Sequence, residues 1–219
     1  MEFSQLKRKY ETKKAEIKVR MEEFRNFSQK ANRDDLFAEV AYCICTPQTS
    51  FDKCQMAIDE LKGKGLLFSG TEELISFFLK KNRVRFHNRK AKFIAEARAK
   101  LYEIGCAYDI RELITELLSM SQQKGREYLW KINISGLGMK ESSHFLRNIG
   151  HGDDLAILDR HILRKLHEFG VIGEELMTVT PKEYVTIEGK MKQWAKQVGI
   201  PLGELDLLLW SEETGEIFK

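Results

Sequence analysis

One short glycine-containing segment constrains the fold more than any other part of the chain. It reads ISGLGMK over residues 134–140, with polar runs of helical character on both sides, at 123–131 and 139–148. Glycine adopts positive φ without a Cβ penalty, so Gly136 and Gly138 suit a tight turn between two helices. The amides exposed at such a turn and at the following helix N-terminus favour an anion such as a DNA phosphate. The segment therefore predicts a helix-hairpin-helix motif.

A Gly-x-Gly turn between helices is not specific by itself. It also occurs in helix connections that bind nothing, and a dinucleotide-binding interpretation fails because no strand precedes the glycines. Two further residues make the pattern more specific. Lys140 lies in the first turn of the outgoing helix, where the helix dipole disfavours a cation, and a neutral lysine amine is a nucleophile suited to Schiff-base chemistry. Asp159 follows the apolar run LAIL and can act as the N-cap of a helix over 160–169.

Composition indicates a single globular protein that works inside the cell. The 219 residues, with 32% charged and only three prolines, suit one large domain or two small ones. No segment resembles a signal peptide or is apolar enough to span a membrane. The four cysteines lack the paired spacing of a zinc site or a disulfide framework, so free thiols are expected. We expect a cytoplasmic or nucleoid-associated protein.

Positive charge is concentrated in one part of the chain, although the net charge is only +3. Residues 80–100 contain one acid, Glu96, and nine basic residues: Lys80, Lys81, Arg83, Arg85, Arg89, Lys90, Lys92, Arg98 and Lys100. Such a run can be a solvated helix face. Beside a helix-hairpin-helix it is better interpreted as a phosphate-binding surface.

Helical patterns account for nearly the whole chain. Apolar residues recur at helical spacing in 1–31, and further helices are predicted over 36–45, 51–61, 71–80, 89–104, 109–120, 160–169, 182–198 and from 202 through at least 210. Asp34 or Asp35 is the predicted N-cap of the second helix, and Pro181 suits a first helical position. Nothing in the chain indicates alternating strands or repeats, so the predicted fold class is all-α.

Three segments carry a family resemblance that covers nearly the whole chain: GLGMKESSHFLRNIG, LAILDRHIL and the tail WSEETGEIFK. They resemble the compact 8-oxoguanine DNA glycosylase/AP lyases, the second Ogg group of the helix-hairpin-helix DNA glycosylase superfamily. The resemblance implies two helical subdomains with the active site in the cleft between them. We expect a single such unit, with approximate subdomains 36–120 and 1–35 plus 121–219.

The resemblance assigns the catalytic roles to Lys140 and Asp159. The Lys140 amine would attack the anomeric carbon of the deoxyribose as the base departs, while Asp159 stabilises the positive charge on the sugar and helps to deprotonate the lysine. The resulting imine permits β-elimination of the 3′ phosphate, which is the lyase step. The less specific interpretation makes Lys140 a surface lysine and Asp159 a plain N-cap.

An enzyme that acts on a stacked base must extrude the nucleotide and fill the gap. Phe86, in a basic connection with Arg85 and Arg89, resembles the apolar wedge of the superfamily, and Gln48 matches a loop that probes the opposite strand. The alternatives are a buried aromatic residue at a helix start and simple turn chemistry. His161 resembles an imidazole that touches the damaged strand, although it could equally be a core histidine.

The end of the chain carries the residues that the resemblance assigns to the damaged base. Trp210 offers an aromatic face on which a purine can stack, and Phe218 and Lys219 complete the tail, with the terminal carboxylate on Lys219. A carboxylate can accept hydrogen bonds from N–H groups on a guanine edge, and the N7–H of 8-oxoguanine distinguishes it from guanine. An aromatic residue near a chain end is more often part of a core.

The expected partner is damaged double-stranded DNA, bound by a monomer that does not associate with membranes. No cofactor is expected, because the endonuclease III branch carries a four-cysteine iron–sulfur cluster in the C-terminal third, where this chain has no cysteine. No metal site is predicted, although a monovalent cation at the hairpin is compatible with the resemblance. Two alternatives stay open: a cluster-free endonuclease III-like glycosylase for another oxidised base, and a non-enzymatic helix-hairpin-helix DNA-binding protein.

Overall fold

The computed structural model describes residues 3–218, and within that range all regular secondary structure is helical. Twelve α-helices follow one another along the described chain: α1 (Phe3–Lys30), α2 (Arg33–Cys45), α3 (Phe51–Gly63), α4 (Leu66–Ser69), α5 (Glu72–Lys81), α6 (His87–Leu101), α7 (Ile110–Ser119), α8 (Gln122–Lys131), α9 (Met139–Asn148), α10 (Arg160–Glu168), α11 (Pro181–Val198) and α12 (Leu202–Thr214). The predicted all-α fold class is confirmed. None of the described helices is long and apolar enough to cross a membrane.

The chain forms two compact units. We call Lys30–Phe145 the central unit, and the chain up to Gln29 together with the chain from Leu146 onward the terminal unit. The sequence predicts 121–145 in the same subdomain as the chain ends, but the structure has this segment in the central unit. The reason is local packing, because α8 packs on α7 and Gly136 of the hairpin lies against Ile44 and Phe93.

Each unit is built around a helix that is buried over much of its surface. In the central unit every residue of α2 from Leu36 to Cys45 is buried, and α3, α6 and α7 pack around it. In the terminal unit α10 and α11 pack on α12, where Leu205 and Leu207–Leu209 are buried. A helix that is apolar on nearly every side belongs in a core, and both helices follow that rule.

Most helices begin where the sequence predicts, and the exceptions have local causes. The N-cap of α2 is Asn32, so the prediction of Asp34 or Asp35 is wrong. The Asn32 side chain accepts a hydrogen bond from the Asp35 N–H and the Asp35 carboxylate accepts one from the Asn32 N–H, both at 2.9 Å, which forms a capping box. The sequence does not predict α4, because a four-residue helix is too short to show a helical period.

Three cations of the basic run bind the ends of neighbouring helices. Lys90 Nζ binds the carbonyl of Cys45, the last residue of α2, at 2.7 Å and that of Pro47 at 2.8 Å. Arg98 Nη1 binds Gly70 O, just after α4, at 2.8 Å. Lys100 Nζ binds Ile132 O and, at 3.1 Å, Asn133 O, both just after α8. The last carbonyls of a helix have no partner within the helix, and a cation there also interacts favourably with the helix dipole.

The basic run therefore divides into two groups. Lys90, Arg98 and Lys100 stabilise the fold, whereas the exposed cations are Lys80, Lys81, Arg83, Arg85, Arg89 and Lys92. Lys81 is paired with Glu60 at 2.6 Å, and Lys92 lies 3.9 Å from Glu96. The predicted phosphate-binding surface over 80–100 is thus too broad, because a charge pattern treats every cation as solvent-facing.

Candidate active site

The hairpin between α8 and α9 lies in the central unit, and its two glycines have different roles. Gly136 has φ 83°, and a Cβ on it would lie 3.0 Å from Phe93 and 3.1 Å from Ile44, so backbone angle and packing both require glycine. Gly138 is exposed and lies outside the left-handed region, and a Cβ there would meet the flexible Glu141 carboxylate at 3.1 Å. The prediction of a turn that needs positive φ is right for Gly136 and wrong for Gly138.

The hairpin leads directly into the first turn of α9. The Gly138 carbonyl accepts the first helical hydrogen bond, from Ser142 N–H at 2.9 Å, and the Gly138 N–H donates to Glu141 Oε2 at 3.2 Å. The exposed amide of Gly138 is therefore already arranged to bind a carboxylate oxygen. A phosphate oxygen has similar acceptor chemistry, so an anion that binds this end of α9 would take the place of the Glu141 carboxylate.

Lys140 lies half-buried in the first turn of α9. Its Nζ is 3.5 Å from the hydroxyl oxygen of Thr46, which itself donates to the Cys43 carbonyl at 2.9 Å. Thr46 begins the turn Thr46–Thr49 that follows α2 and carries Gln48. The central unit thus places the predicted nucleophile beside the predicted opposite-strand probe.

Gln48 and Phe86 share a backbone conformation that is unfavourable for their residue types. Both have φ 56°, and both side chains are exposed, with 53% of Phe86 accessible. Left-handed conformations cost residues other than glycine on the order of 1–3 kcal/mol and concentrate at functional sites. The exposure of Phe86 excludes the alternative of a buried aromatic residue at the start of α6.

Two exposed arginines accompany Phe86. The guanidinium of Arg85 lies 5.6 Å from the Phe86 ring centre, and that of Arg89 lies 5.1 Å from the ring centre of Phe93. Stacking on an aromatic ring leaves the N–H groups of a guanidinium available to an anion. An exposed aromatic side chain flanked by cations is therefore a surface suited to a nucleic acid.

Asp159 is the N-cap of α10, as predicted. Its Oδ1 accepts hydrogen bonds from the N–H groups of His161 at 2.8 Å and Ile162 at 2.9 Å. No side chain or amide of the described residues bonds to Oδ2. One oxygen of the carboxylate is therefore occupied by the helix and the other is available to a further partner.

A buried, non-helical segment, Leu155–Leu158, leads into Asp159. Side chains of α11 and α12 bind the backbone of this segment. The N–H of Ala156 donates to Glu188 Oε1 and that of Ile157 to Asp206 Oδ1, both at 2.9 Å. The Tyr184 hydroxyl accepts from Leu158 N–H at 3.2 Å and donates to Ala156 O at 2.7 Å. Asp206 also pairs with buried Arg147 at 3.0 Å. Because an unpaired buried backbone group is costly, this network fixes the segment and so the position of Asp159.

Sequence reasoning missed Tyr184, Glu188 and Asp206. All three are almost fully buried, with at most 5% of each accessible. The available signal was a polar residue at a core-facing position of an otherwise apolar helix face, because buried polar groups are retained with specific partners.

His161 and Trp210 lie together in the terminal unit, both half-buried. Their ring centres are 5.3 Å apart with an edge-on angle of 69°. Beside them the Glu213 carboxylate lies 3.4 Å from His161 Nδ1 and accepts from Arg164 and from Lys165, the latter at 3.3 Å. Burial raises the pKa of Glu213, but the hydrogen bonds from Arg164 and Lys165 lower it, and the net pKa is lowered. A charged carboxylate thus holds the end of α12 to α10.

Of the predicted tail residues, Phe218 is half-buried, and the guanidinium of Arg20 lies 5.9 Å from its ring centre. Lys219 lies outside the described residues. The predicted site residues fall into two groups: Gln48, Arg85, Phe86, Arg89, Gly136, Gly138 and Lys140 in the central unit, and Asp159, His161, Trp210 and Phe218 in the terminal unit. None of the four cysteines forms a disulfide, and Cys43, Cys45 and Cys54 are buried.

Comparison with known proteins identifies the family. A family model described as 8-oxoguanine DNA glycosylase matches residues 17–200. The 8-oxoguanine DNA glycosylase/AP lyase of Fusobacterium nucleatum is 40% identical over 218 residues, which are 99% of this chain and 97% of the relative. The chain belongs to the 8-oxoguanine DNA glycosylase family.

Solved structures of family members share the whole fold. The 8-oxoguanine DNA glycosylase of Thermotoga maritima has a TM-score of 0.85 at 31% identity, covering 99% of this chain and 98% of its own. The Methanocaldococcus jannaschii 8-oxoguanine glycosylase/lyase in complex with a 15mer DNA containing 8-oxoguanine has a TM-score of 0.83 at 31% identity, covering 99% and 100%. Lys140 and Asp159 lie within the range of the glycosylase family model, whereas Trp210, Phe218 and Lys219 follow it.

The two hairpin glycines give a matched pair of substitutions. We expect Gly136→Ala to destabilise the protein by about 1–3 kcal/mol, because the new Cβ occupies a left-handed residue packed against Ile44 and Phe93. We expect Gly138→Ala to change the unfolding free energy by less than about 1 kcal/mol, since the Glu141 carboxylate can move. Thermal or urea unfolding of both variants measures the difference, and equal losses would contradict it.

Proposed function

We propose that this protein excises 8-oxoguanine from duplex DNA and then cleaves the strand at the resulting abasic site. It would act as a monomer in base-excision repair inside the cell, without a cofactor. The observation that carries the proposal is the placement of two groups at helix N-termini in a chain of this family. Lys140 lies in the first turn of α9, and Asp159 caps α10 with one carboxylate oxygen to spare.

The chemistry proceeds from the amine of Lys140. It attacks C1′ of the deoxyribose, and the bond from C1′ to the base breaks with its electron pair leaving on the base. Asp159 stabilises the positive charge that develops on the sugar and takes a proton from the lysine. The sugar ring then opens to an imine between Lys140 and C1′, which acidifies the C2′ proton, and its removal expels the 3′ phosphate by β-elimination.

Extrusion of the lesion requires contacts on both strands. We assign the phosphate contacts to the exposed guanidinium groups of Arg85 and Arg89 and to the amide of Gly138, where a phosphate oxygen would replace the Glu141 carboxylate. Phe86 would fill the gap left by the extruded nucleotide, and Gln48 would probe the base opposite. His161 would contact the damaged strand. Exposed side chains on strained backbone support the roles of Phe86 and Gln48.

The base would be recognised by the end of the chain. The leucines before Trp210 are buried, whereas Trp210 is only half-buried. Its accessible part suits a face on which a purine stacks. Phe218 and Lys219 complete this assignment.

Replacement of Lys140 tests the function directly. Lys140→Gln should abolish both base excision and strand cleavage, because the amide side chain cannot form an imine, while binding to lesion DNA is retained. Borohydride trapping of a covalent protein–DNA adduct, together with gel assays on an 8-oxoguanine duplex, measures both. Lys92→Gln, at an exposed lysine of α6, serves as the control and should be trapped like the native protein.

Three outcomes would overturn this assignment. Adduct formation by Lys140→Gln would move the nucleophile to another amine. Faster excision of a different oxidised base by the native protein would change the substrate, and no adduct with any lesion would indicate a DNA-binding protein without this chemistry.

Asp159→Asn separates catalysis from helix capping. Asparagine caps helices as well as aspartate does, and its Oδ1 can still accept from the N–H groups of His161 and Ile162. We therefore expect the melting temperature to stay nearly unchanged while excision falls by orders of magnitude, because the charge near the sugar is removed. Single-turnover rates and thermal unfolding measure the two effects. Parallel losses in stability and activity would leave Asp159 with a capping role alone.

Charge reversal at the exposed arginines tests the DNA-binding surface. Arg85→Glu/Arg89→Glu should flatten the dependence of log Kd on log salt by about 0.9 for each phosphate that is no longer neutralised, without changing which lesion is preferred. Lys182→Glu/Lys196→Glu changes the net charge equally at exposed positions of α11 with no assigned role in binding. Fluorescence anisotropy at several salt concentrations compares them, and identical slopes in the two double variants would remove Arg85 and Arg89 from the interface.

A further inference from the structure

Lys90 is a buried cation with a complete set of hydrogen bonds. Only 4% of the residue is accessible. Its Nζ donates to Cys45 O at 2.7 Å, to Pro47 O at 2.8 Å and to Thr49 Oγ1 at 3.0 Å. An ammonium group has three N–H donors, so every one of them has a partner within the central unit.

The bonds of Lys90 lie on both sides of Gln48. Pro47 precedes Gln48 and Thr49 follows it, and the turn is closed by a hydrogen bond from Thr49 N–H to Thr46 O at 3.1 Å. The left-handed backbone of Gln48 is therefore held at both neighbouring residues by one side chain. With its neighbours fixed, the side chain of Gln48 remains exposed.

The Lys90 side chain reaches the connection that carries Phe86 through Thr49. The N–H of Arg85, the residue before Phe86, donates to Thr49 Oγ1 at 3.1 Å. Thr49 Oγ1 is thus shared between the Lys90 ammonium and the backbone of the wedge connection. The Lys90 ammonium thus bonds directly to both neighbours of Gln48, and it is connected to the neighbour of Phe86 through Thr49 Oγ1.

The environment of Lys90 is unfavourable for a cation. Burial lowers the pKa of Lys90, and the positive charges of Lys140 and Arg85 act in the same direction. Arg98 and Lys100, on the same helix, bind the ends of α4 and α8 and are less buried. Lys90 differs from them because its bonds join the last residue of α2 to Pro47 and Thr49, two half-buried residues of the following turn.

We propose that Lys90 is a positioning residue that couples the turn of Gln48 to the connection of Phe86, so that the opposite-strand probe and the wedge engage DNA as one rigid element. The proposal rests on the proposed function, because it concerns extrusion of the lesion. Lys90 touches neither the base nor the sugar in this scheme. Its effect is exerted on the conformation of Gln48 and Phe86.

The test uses Lys90→Met, which keeps an unbranched side chain but removes the charge and the three hydrogen bonds. It compares a step that requires extrusion of the lesion with a step that does not. We expect single-turnover excision from an intact 8-oxoguanine duplex to fall by about 10- to 100-fold, in line with the effect of small misplacements at an active site. Cleavage of a preformed abasic site should fall by much less, because no stacked base has to be extruded. Lys140 bonds to Thr46 of the same turn, but any effect on Lys140 enters both rates and cancels from their ratio. The ratio of excision rates between duplexes with different bases opposite the lesion should become smaller.

Arg98→Met is the matched control on the same helix. It removes a half-buried cation that caps α4 and that contacts neither loop. It should lower the melting temperature while leaving the ratio of excision to abasic-site cleavage unchanged. A merely structural role for Lys90 would give the same result in both variants and would refute the proposal.

Thr49 provides a second pair of variants in case Lys90→Met fails to fold. Thr49→Val removes the shared oxygen and should reproduce the loss of excision with retained abasic-site cleavage, whereas Thr49→Ser keeps the oxygen and should restore the native ratio. Lys90→Met/Thr49→Val should be little worse than Lys90→Met, because both changes break one network. Additive losses would contradict the coupling.

Hydrogen exchange separates failure of this inference from failure of the proposed function. In Lys90→Met we expect faster exchange at the amides of 46–50 and 83–88, and native exchange in α11 and α12. Unchanged exchange in both loops would refute the inference even if the native protein excises 8-oxoguanine. Faster exchange in a protein whose native form excises nothing would retain the coupling and refute the function.

Discussion

The structure depends on how its helices end. Each α-helix leaves its first amides and its last carbonyls without partners inside the helix. The described chain has twelve helices, so many such groups need partners from outside their own helix. Side chains also bind the backbone at or just outside the helix ends: Lys90, Arg98 and Lys100 bind carbonyls at or after the ends of α2, α4 and α8, and Tyr184, Glu188 and Asp206 bind amides of the segment before α10. A buried polar group left unpaired costs about 1–3 kcal/mol, so each of these side chains fixes the segment that it binds.

The proposed active-site residues lie at those same helix ends. Lys140 is in the first turn of α9, Asp159 caps α10, Phe86 immediately precedes α6 and Gln48 lies in the turn after α2. A helix terminus gives a side chain a defined backbone position while keeping it outside the packed body of the helix. The hydrogen bonds that complete the helices therefore also set the geometry of the chemistry, and the fold and the site cannot be varied independently.

Local patterns explain why the sequence predicts so much here. Helical periodicity, proline positions and the glycine turn act within a few residues, so they locate the helices, and family resemblance adds the proposed roles of Lys140 and Asp159. The sequence does not predict the buried position of Lys90, because its partners Cys45 and Pro47 are more than 40 positions away. A charge pattern also does not distinguish a buried lysine from an exposed one. The sequence likewise does not predict the roles of Tyr184, Glu188 and Asp206, since only tertiary packing brings them to Leu155–Leu158.

The strain at Gln48 and Phe86 follows from the same bonds. A left-handed residue other than glycine persists only where its surroundings hold the neighbouring backbone, because each costs on the order of 1–3 kcal/mol. The carbonyl of Pro47, the hydroxyl of Thr49 and the amide of Arg85 are all committed to one network around Lys90. Relaxing Gln48 to an ordinary conformation would break hydrogen bonds to a charged group, which contribute about 1.5–3 kcal/mol each. Relaxing Phe86 would break the bond from the Arg85 N–H to Thr49 Oγ1. The buried charge, which is unfavourable for stability when considered alone, thus becomes the reason that two exposed side chains stay in place.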